Sequence, residues 1–468
     1  MNRTHEAGAL HATSGGRSEW PAAPDDVNAL LSELWSSTVG KSSDGVLEVG
    51  GLDVGELARE FGTPLYVLDV EDLRARARAF VDAFAGFDVF YASKAFCATA
   101  VVTWVAAEGL AVDVCSGGEL AVAVRAGVEP ARIGLHGNNK TVEELTEAIR
   151  LGVGRVVVDS FDEIERLRVL TDGLTGASRL RVMVRCIAGV EAHTHEYIAT
   201  AHEDQKFGLS IVDGDASRAV ALLEAMPGVE LIGLHSHIGS QIFDTSGFEV
   251  AARRVLRLHA ESCVAIGRDL PELDLGGGFG IAYNAQDTPS APVELAANLN
   301  AIVDAECAAL AIERPRCSIE PGRAIVGPST FSLYEVGTVK RVTLDGGAHR
   351  LYVAVDGGMS DNVRTALYNA EYSATLASRA STATPELSRV VGKHCESGDI
   401  LVTHEFLPSD VAPGDLIAVP GTGAYCRALA SNYNHATRPA VVAVQNGEAR
   451  VIVRRETLDD LLALDVGW

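Results

Sequence analysis

Eight short runs rich in β-branched residues recur along this chain, each followed by a stretch of Ala, Leu, Glu and Arg with helical period. This alternation predicts βα units around a parallel sheet. Eight units favour a closed (β/α)8 barrel over an open doubly wound sheet, whose GxGxxG motif does not follow the first run. The predicted strands are residues 88–94, 111–116, 133–138, 155–160, 181–186, 231–237, 273–278 and 318–323.

Helical segments lie between these runs, among them residues 141–151, 161–170 and 293–310. Thr141 and Glu144 have the spacing of a capping box, which satisfies orphan backbone N–H groups at a helix start. Pro292 stands just ahead of the last segment, where a helix tolerates proline. The helices therefore alternate with the strands as a barrel requires.

The alternation of strand-like and helical runs ends after about residue 328. Strand-like runs separated by turn signals then predict a second, all-β domain, at residues 336–342, 351–356, 399–402, 415–419, 440–445 and 450–454. Residues 46–49 have the same character and are expected to join that domain as an N-terminal strand. The predicted boundaries are a disordered extension at 1–25, a segment of the β domain at 26–67, the barrel at 68–328 and the C-terminal β domain at 329–468.

Composition narrows the functional class. The 468 residues carry a formal net charge of −24, which repels nucleic-acid phosphates and anionic lipid. No apolar run reaches the length of a membrane span, and residues 1–16 contain no apolar core of a signal peptide. The eight cysteines are scattered without a CxxC pair, which indicates reduced thiols and a cytoplasmic protein.

The ends of the predicted barrel strands are polar or glycine-rich. Barrel enzymes place their chemistry at the carboxyl ends of the strands, so we expect these groups to converge on one mouth. They include Lys94, Asp113, His136, Asn138, Asp159, Arg185, His235, His237, Glu320 and Arg323. A single polar strand end is an ordinary loop start, but a series of eight predicts an active site.

Four of the strand ends suggest specific chemistry. A lysine at position 94 among apolar neighbours would be partly desolvated, which lowers its pKa and suits a Schiff base, although a lone lysine is more often a surface residue. The glycines at 276–278 and 280 let backbone N–H groups approach a phosphate, or form a plain flexible turn. His237 could stack on a flat ring. Glu320 could hold a heteroaromatic nitrogen protonated, with Arg323 clamping a carboxylate, or the two could form a structural pair. Together these groups describe a site for pyridoxal phosphate.

Six motifs carry a family resemblance that covers about residues 45–465. They read YASKAF, HSHIGSQ, GGGFG, EPGR, DGGMSDNVR and GKHCESGD. In combination they resemble the barrel-type pyridoxal-phosphate decarboxylases, specifically the diaminopimelate decarboxylase family. The resemblance implies the conversion of meso-2,6-diaminopimelate to L-lysine and CO2, the last step of lysine biosynthesis, with pyridoxal 5'-phosphate as the cofactor and no metal.

The resemblance also implies roles for individual residues. Lys94 matches the lysine that bonds the cofactor, His237 the histidine stacked on its ring, and Glu320 the partner of its ring nitrogen. The other cofactor contacts implied are Ser240, Gly277, Gly278, Gly322, Arg323 and Tyr425. The substrate contacts implied are Arg323, Arg364, Tyr368, Glu396 and Tyr425. Cys395 matches the proton donor, with Lys94 as the alternative, and Asp113 and Glu119 match supporting residues.

The substrate assignment has a physical rationale. Arg364 and Tyr368 are four residues apart after Ser360 and Asp361, so both could reach one carboxylate from one helix face. Arg323 and Arg364 would hold the distal carboxylate of the substrate, and Glu396 its distal ammonium. A decarboxylase acting on ornithine, arginine or lysine would need acids there, and remains the alternative. In the family, residues matching Cys395 and Glu396 enter the partner subunit's site, which implies a homodimer.

Two rival interpretations and one departure remain. His235 and His237, two apart on one strand, could ligate zinc in a metal-dependent barrel hydrolase. A non-catalytic cofactor-binding homologue should have lost the lysine or the cysteine, and this chain keeps both. His193, His195 and Glu196 lie in a polar stretch and are expected to be loop residues rather than ligands. The chain reads Cys426-Arg427 after Tyr425, where the family more often has a bulky aromatic, and no loss of activity is expected from this.

Overall fold

The computed structural model describes residues 23–189, 206–243, 246–344 and 347–468. They form two compact units. One comprises the described residues within Met1–Leu73, Ala282–Asp287 and Val326–Trp468, and the other those within Arg74–Ile281 and Thr288–Ile325. Most of the predicted extension at 1–25 and the stretch with His193, His195 and Glu196 lie outside the described residues.

The second unit is a closed barrel of eight parallel strands. Each strand pairs with the next along the chain, and the last pairs with the first. This confirms the predicted (β/α)8 fold. The strands are Asp88–Ala92, Ala111–Val114, Ile133–Leu135, Arg155–Val158, Leu180–Ile187, Val229–Ser236, Glu272–Asp274 and Arg316–Ile319. A two-residue strand, Leu209–Ser210, pairs in parallel with the last two residues of the fifth, Cys186 and Ile187.

Helices alternate with the barrel strands. Thr141 caps its helix by accepting from the N–H of Glu144 at 3.1 Å, and Pro292 occupies the first helical turn of its helix, as the sequence predicts. The helices are Val70–Ala83, Thr99–Ala107, Gly117–Arg125, Val142–Leu151, Phe161–Leu170, Asp215–Glu224, Ser246–Ile266, Pro292–Leu310 and Arg323–Val326. Among the described residues, no helix combines the length and the apolar character needed to cross a membrane.

A buried ionic group crosses the barrel interior. The guanidinium of Arg155 binds the carboxylate of Asp274 and donates to Oγ of Ser318 at 2.9 Å. It also lies 3.7 Å over the ring of Phe90. Because Oγ of Ser318 donates to the same carboxylate at 2.5 Å, the buried charges are neutralised and hydrogen-bonded, which is the condition for keeping them in a core.

The first unit is built on a large mixed sheet. Its order is Ile400–Pro408, Pro385–Val391, His349–Val355, Thr330–Thr343, Leu65–Asp69, Ala440–Gln445 and Glu448–Val453, with Leu416–Val419 also on Thr330–Thr343 and Thr375–Leu376 on Leu416–Val419. Its helices are Val54–Phe61, Arg364–Tyr368 and Leu458–Leu462. The six strands predicted after residue 328 all occur here, Ala440–Gln445 with the predicted bounds and the other five with shifted ends.

The N-terminal strand expected in the β domain is present in this unit, in a different sheet from the large one. Residues 46–49 do form a strand, Leu47–Val49, but it pairs with Val39–Lys41 and Leu52–Asp53 in a separate three-stranded sheet. Leu65–Asp69 takes the place in the large sheet, pairing with Thr330–Thr343 and Ala440–Gln445. All five of its residues are buried. The sequence of a short apolar run does not indicate which strand it pairs with.

Candidate active site

A cavity of about 280 Å³ opens at the carboxyl ends of the barrel strands. Eight of the ten strand-end residues expected to converge line this cavity, and Asp159 and Arg323 are not among its lining residues. Its lining includes Ser93, Lys94, Asp113, Cys115, Glu119, His136, Asn138, Arg185, Phe207, His235, His237 and Glu320. A lysine, several imidazoles and carboxylates facing one space can bind a polar, anionic aromatic ligand.

Lys94 lies in a single helical turn, Ser93–Ala95, directly after the first barrel strand. The residues on either side of it are buried, whereas Lys94 itself is exposed at the mouth of the cavity. The expectation that Lys94 is partly desolvated is therefore not met in the chain by itself. The turn fixes its backbone, since Oγ of Ser93 donates to the carbonyl of Asp113 at 2.7 Å.

Glu320 lies in the cavity wall in contact with two histidines. Its Oε1 lies 2.9 Å from Nε2 of His235 and 3.4 Å from Nε2 of His136. Burial by itself raises the pKa of Glu320, but the two imidazoles outweigh burial and hold it well below its ordinary value. The carboxylate therefore stays ionised, ready to stabilise a proton on a ligand nitrogen.

Asp113 and His136 complete this group. Oδ1 of Asp113 lies 3.0 Å from Nε2 of His136. Burial and the negative charge of Glu320 raise the pKa of Asp113 well above its ordinary value, and burial lowers the pKa of His136 to about 4. The pKa of Asp113 is raised while that of Glu320 is lowered, so Asp113 is the harder of the two to ionise. The negative charge of the pair is therefore concentrated on Glu320.

His237 is tied to the glycine loop. Its Nδ1 accepts a hydrogen bond from the N–H of Gly277 at 3.1 Å, which leaves the proton on Nε2. Burial, helped by the positive charges of Lys94 and Arg185, lowers the pKa of His237 well below its usual range. The ring is therefore neutral and fixed in orientation.

The glycines are required by packing against backbone. A Cβ on Gly276 would lie 2.3 Å from the carbonyl oxygen of Ser236, and one on Gly277 would lie 2.2 Å from that of Glu320. Gly278 has φ +113° and would meet the carbonyl oxygen of Gly239 at 2.5 Å. Since Glu320 and His237 are both hydrogen-bonded to this loop, the run is not a flexible turn.

Ser240 and Arg323 meet as well. The guanidinium of Arg323 donates to Oγ of Ser240 at 2.7 Å, which joins the loop after the sixth strand to the turn after the eighth. Glu320 and Arg323 take different partners in these contacts. Gly322 approaches the carbonyl oxygen of Ala92 so closely that a Cβ would lie 2.8 Å from it.

The histidine pair suggested for zinc does not form. His235 is fully buried against Glu320, whereas His237 lies beyond the end of the strand and is bound to Gly277. Among the described residues, the group with metal-ligand geometry is His136, His235 and Glu320, whose ligand atoms lie within 4.8 Å of one another. Direct hydrogen bonding accounts for it, because His235 donates to the carboxylate.

A second set of predicted residues belongs to the β unit. Arg364 is buried, and its Nη1 donates to the phenolic oxygens of Tyr283 at 2.7 Å and Tyr372 at 2.6 Å. Its guanidinium lies 4.9 Å from the ring centroid of Tyr283. Tyr368, the expected companion of Arg364, is half-buried at the end of the same short helix.

Cys395 and Glu396 are exposed in a turn that follows the strand Pro385–Val391. Tyr425 is half-buried and has φ +64°, the left-handed region that costs a bulky residue free energy. Cys426 is buried with Sγ 3.5 Å from the phenolic oxygen of Tyr372. The small residue after Tyr425 is therefore part of the packing around Arg364.

Several site residues received no role from the sequence. In the sequence, His136 and Arg185 stand out only as polar strand ends, and no motif marks Phe207, Tyr283 or Tyr372. The guanidinium of Arg185 lies 4.5 Å from the ring centroid of Phe207. A sequence pattern cannot reveal such contacts, because each joins positions that are distant in the chain.

The residues of the barrel cavity fit pyridoxal phosphate. An exposed primary amine, an ionised buried carboxylate and a neutral imidazole face one space, and a serine hydroxyl bound to a guanidinium lies on the neighbouring loops. These are the groups that an aldehyde, a ring nitrogen, an aromatic face and a phosphate require.

Fold and site together define a barrel-type pyridoxal-dependent decarboxylase. Residues 70–327 match the family described as "Pyridoxal-dependent decarboxylase, pyridoxal binding domain". A diaminopimelate decarboxylase of Mycobacterium leprae is 51% identical over 475 residues, covering 99% of each chain. That of Mycobacterium tuberculosis is 53% identical over 444 residues, covering 93% of this chain and 98% of the relative. The chain belongs to the diaminopimelate decarboxylase family.

A solved structure agrees with this. Diaminopimelate decarboxylase from M. jannaschii, in complex with L-lysine, superimposes with a TM-score of 0.85 at 31% sequence identity. The match covers 92% of this chain and 98% of that one. The barrel and the β-rich unit are therefore both shared with the relative.

Proposed function

We propose that this chain decarboxylates meso-2,6-diaminopimelate to L-lysine and CO2. The observation that carries the proposal is the state of Arg364. In the part of the chain that the structure describes, this buried guanidinium has two phenols and no carboxylate as partners, and its Nε has no hydrogen-bond partner. A buried cation requires an anion, and a substrate carboxylate far from the reacting carbon supplies one.

The relatives support this substrate. They are named diaminopimelate decarboxylases, and one of them holds L-lysine, which is the expected product. A decarboxylase for ornithine or lysine would bind a distal amine without a carboxylate, and would leave the charge of Arg364 uncompensated. The alternative substrates are therefore disfavoured by electrostatics.

Pyridoxal phosphate, when bound, supplies an electron sink for the electrons released as CO2 departs. Lys94 would hold its aldehyde carbon covalently, and Ser240 with Arg323 would bind its phosphate. His237 would cover one face of the ring. Glu320 would keep a proton on the ring nitrogen, since its carboxylate is ionised and its partners His136 and His235 orient it.

The protein must then deliver one proton to the carbon that has lost CO2. We assign the donor to the thiol of Cys395, with Lys94 as the alternative. The exposed turn of Cys395 also carries Glu396, whose carboxylate would bind the distal ammonium of the substrate. Arg323, Arg364, Tyr368 and Tyr425 would complete the substrate site.

We infer a homodimer, because Cys395 and Glu396 lie on an exposed turn and their counterparts in the family enter the partner subunit's site. Mixing Lys94→Ala chains with Cys395→Ala chains tests this. If each site takes these residues from different subunits, random pairing should restore about a quarter of the wild-type activity. A mixture as inactive as its parts would refute shared sites.

We also infer a reducing, cytoplasmic setting. All eight cysteines are free, and four of them are buried. Burial raises the pKa of Cys186 and Cys317 to about 12, so these thiols stay protonated and inert. Unchanged activity after prolonged incubation with a strong thiol reductant is expected, and inactivation would point to a required disulfide.

Substrate and cofactor need separate tests. CO2 release should be measured from meso-diaminopimelate beside ornithine, arginine and lysine, and a preference for any of the last three would overturn the substrate proposal. Borohydride reduction of the loaded enzyme should attach the cofactor to Lys94 in a peptide map. Activity should survive chelation and disappear with hydroxylamine, and the opposite pattern would revive a metal-dependent mechanism.

A further inference from the structure

A hydrogen-bonded triad lies behind Cys395. His394 is buried, and both of its ring nitrogens are bound: Nε2 lies 2.8 Å from Oγ of Ser360, and Nδ1 lies 3.0 Å from Oδ1 of Asn434. An amide oxygen only accepts, so Nδ1 carries the proton and Nε2 accepts from the serine hydroxyl. The imidazole also lies 5.2 Å from the ring centroid of Tyr433.

The triad joins two turns of the β unit. The donor turn, residues 392–399, carries Cys395 and Glu396, and the anchor turn, residues 357–361, leads into the helix of Arg364. The carboxylate of Asp399 accepts from the N–H of Met359 at 2.6 Å and from that of His394 at 2.7 Å. Side chains of the donor turn thus bind both the backbone and the side chain of the anchor turn.

The two turns are also in close backbone contact. A Cβ on Gly392 would lie 2.5 Å from Cα of Gly358, and one on Gly358 would lie 2.8 Å from Cδ2 of His394. The N–H of Lys393 donates to the carbonyl of Gly357 at 3.0 Å. The base of the donor turn is therefore fixed, while Cys395 and Glu396 at its tip are exposed.

We propose that His394, held by Ser360 and Asn434, is the positioning residue that orients Cys395 for proton delivery. The inference rests on the proposed role of Cys395. Because His394 and Cys395 are adjacent in the chain, any rotation of the backbone at His394 changes the position of the Cys395 thiol. A fixed imidazole removes that freedom, and small misplacements of a reacting group cost large factors in rate.

Three variants test the triad in the loaded, full-length enzyme. Ser360→Ala removes one hydroxyl, His394→Leu removes both ring contacts, and Asn434→Gly removes the amide while tolerating the positive φ of 51°. Each should lower kcat on meso-diaminopimelate about tenfold with less than a twofold change in cofactor affinity. His394→Gln, which keeps a donor and an acceptor, should recover part of the loss.

A second readout is independent of catalysis. The rate at which iodoacetamide alkylates Cys395, followed by mass spectrometry, should change about threefold or more in the three variants. His259→Leu is the matched control, since His259 is also buried, lies in the helix Ser246–Ile266 and bonds the carbonyl of Leu270 at 2.9 Å. The control should lower thermal stability without altering either readout.

The outcomes separate the two proposals. Unchanged kcat and unchanged alkylation in Ser360→Ala and His394→Leu would overturn the role of His394. Full activity of Cys395→Ala would refute the donor assignment. If alkylation rates still responded to the triad, His394 would then orient a residue without a role in proton delivery. That result would overturn the proposal as stated. Loss of kcat together with altered alkylation would support it.

Discussion

The phenolic oxygen of Tyr372 accepts a hydrogen bond from Nη1 of Arg364 at 2.6 Å, and Tyr283 accepts from the same nitrogen at 2.7 Å. Both partners are uncharged, so the guanidinium is oriented without being neutralised. The arrangement reserves a full positive charge for a ligand.

Replacing Tyr372 by Phe should weaken substrate binding. The change deletes one hydrogen bond to a buried charge, which is worth about 1.5–3 kcal/mol. The KM for meso-diaminopimelate should therefore rise about tenfold or more, with kcat much less affected. Steady-state kinetics on Tyr372→Phe and Tyr283→Phe would measure this, with Tyr352→Phe, on the strand His349–Val355 of the same unit, as the control. Equal KM values in all three proteins would contradict the role of the phenols.

Replacing Gly277 by Ala should disturb the cofactor site. The new Cβ would lie 2.2 Å from the carbonyl oxygen of Glu320, so the turn that carries this carboxylate must move. Cofactor affinity, measured by the absorbance of the bound cofactor during titration, should fall about tenfold. Gly40→Ala is the control, because no atom lies within 4 Å of its Cβ position. Wild-type affinity in Gly277→Ala would show that the loop is more compliant than its packing implies.

Replacing Cys395 by Ala should slow proton delivery. A positioned proton donor contributes about 10²–10⁴ in rate, so kcat should fall by about 10² while cofactor binding stays unchanged. Cys263→Ser is the control, since its sulfur accepts from the N–H of Leu270 at 3.3 Å and lies 3.8 Å from Nδ1 of His259, contacts that a hydroxyl can also make. Undiminished lysine formation by Cys395→Ala would refute the assignment.

The stability of the barrel should depend on His136 in mild acid. Its pKa is about 4 in the folded chain against an ordinary 6.5, so between these values the unfolded chain binds a proton that the native chain does not. The free energy of unfolding should therefore fall as the pH drops from 6.5 to 4, by about 3 kcal/mol from this residue. No further change from His136 is expected below pH 4.

Urea titrations across pH 4–7 would measure this. The slope should be shallower in His136→Gln than in the wild type, and unchanged in a variant of the exposed His349. The two profiles should run parallel above pH 7, where the imidazole is neutral in both states. Parallel profiles over the whole range would argue against a buried, neutral His136.

Much of the barrel was predictable because its signals are local. The caps at Thr141 and Pro292 and the alternation of short strands with amphipathic helices are encoded within a few residues. The convergence of Lys94, His237 and Glu320 on one cavity followed from a general rule about barrel strand ends. The roles of the individual site residues are predictions, and the substitutions above test them.

The remainder depends on contacts between distant positions. Leu65–Asp69 finds its partners more than 260 residues away, so its sheet could not be inferred from its own pattern. The same holds for the Arg155–Asp274 pair inside the barrel, where a charged residue at the start of a strand gives no sign of pointing inward. The tyrosines around Arg364 come from two segments separated by almost 90 residues.

The glycine run after the seventh strand has a consequence for engineering. At three successive positions a methyl group would collide with a neighbouring carbonyl oxygen, so these positions do not tolerate larger side chains. Mutant libraries aimed at this loop should therefore return mostly unfolded or cofactor-deficient proteins. New substrate preferences are better sought among the aromatic side chains around Arg364, where one oxygen atom can be added or removed while the backbone stays as it is.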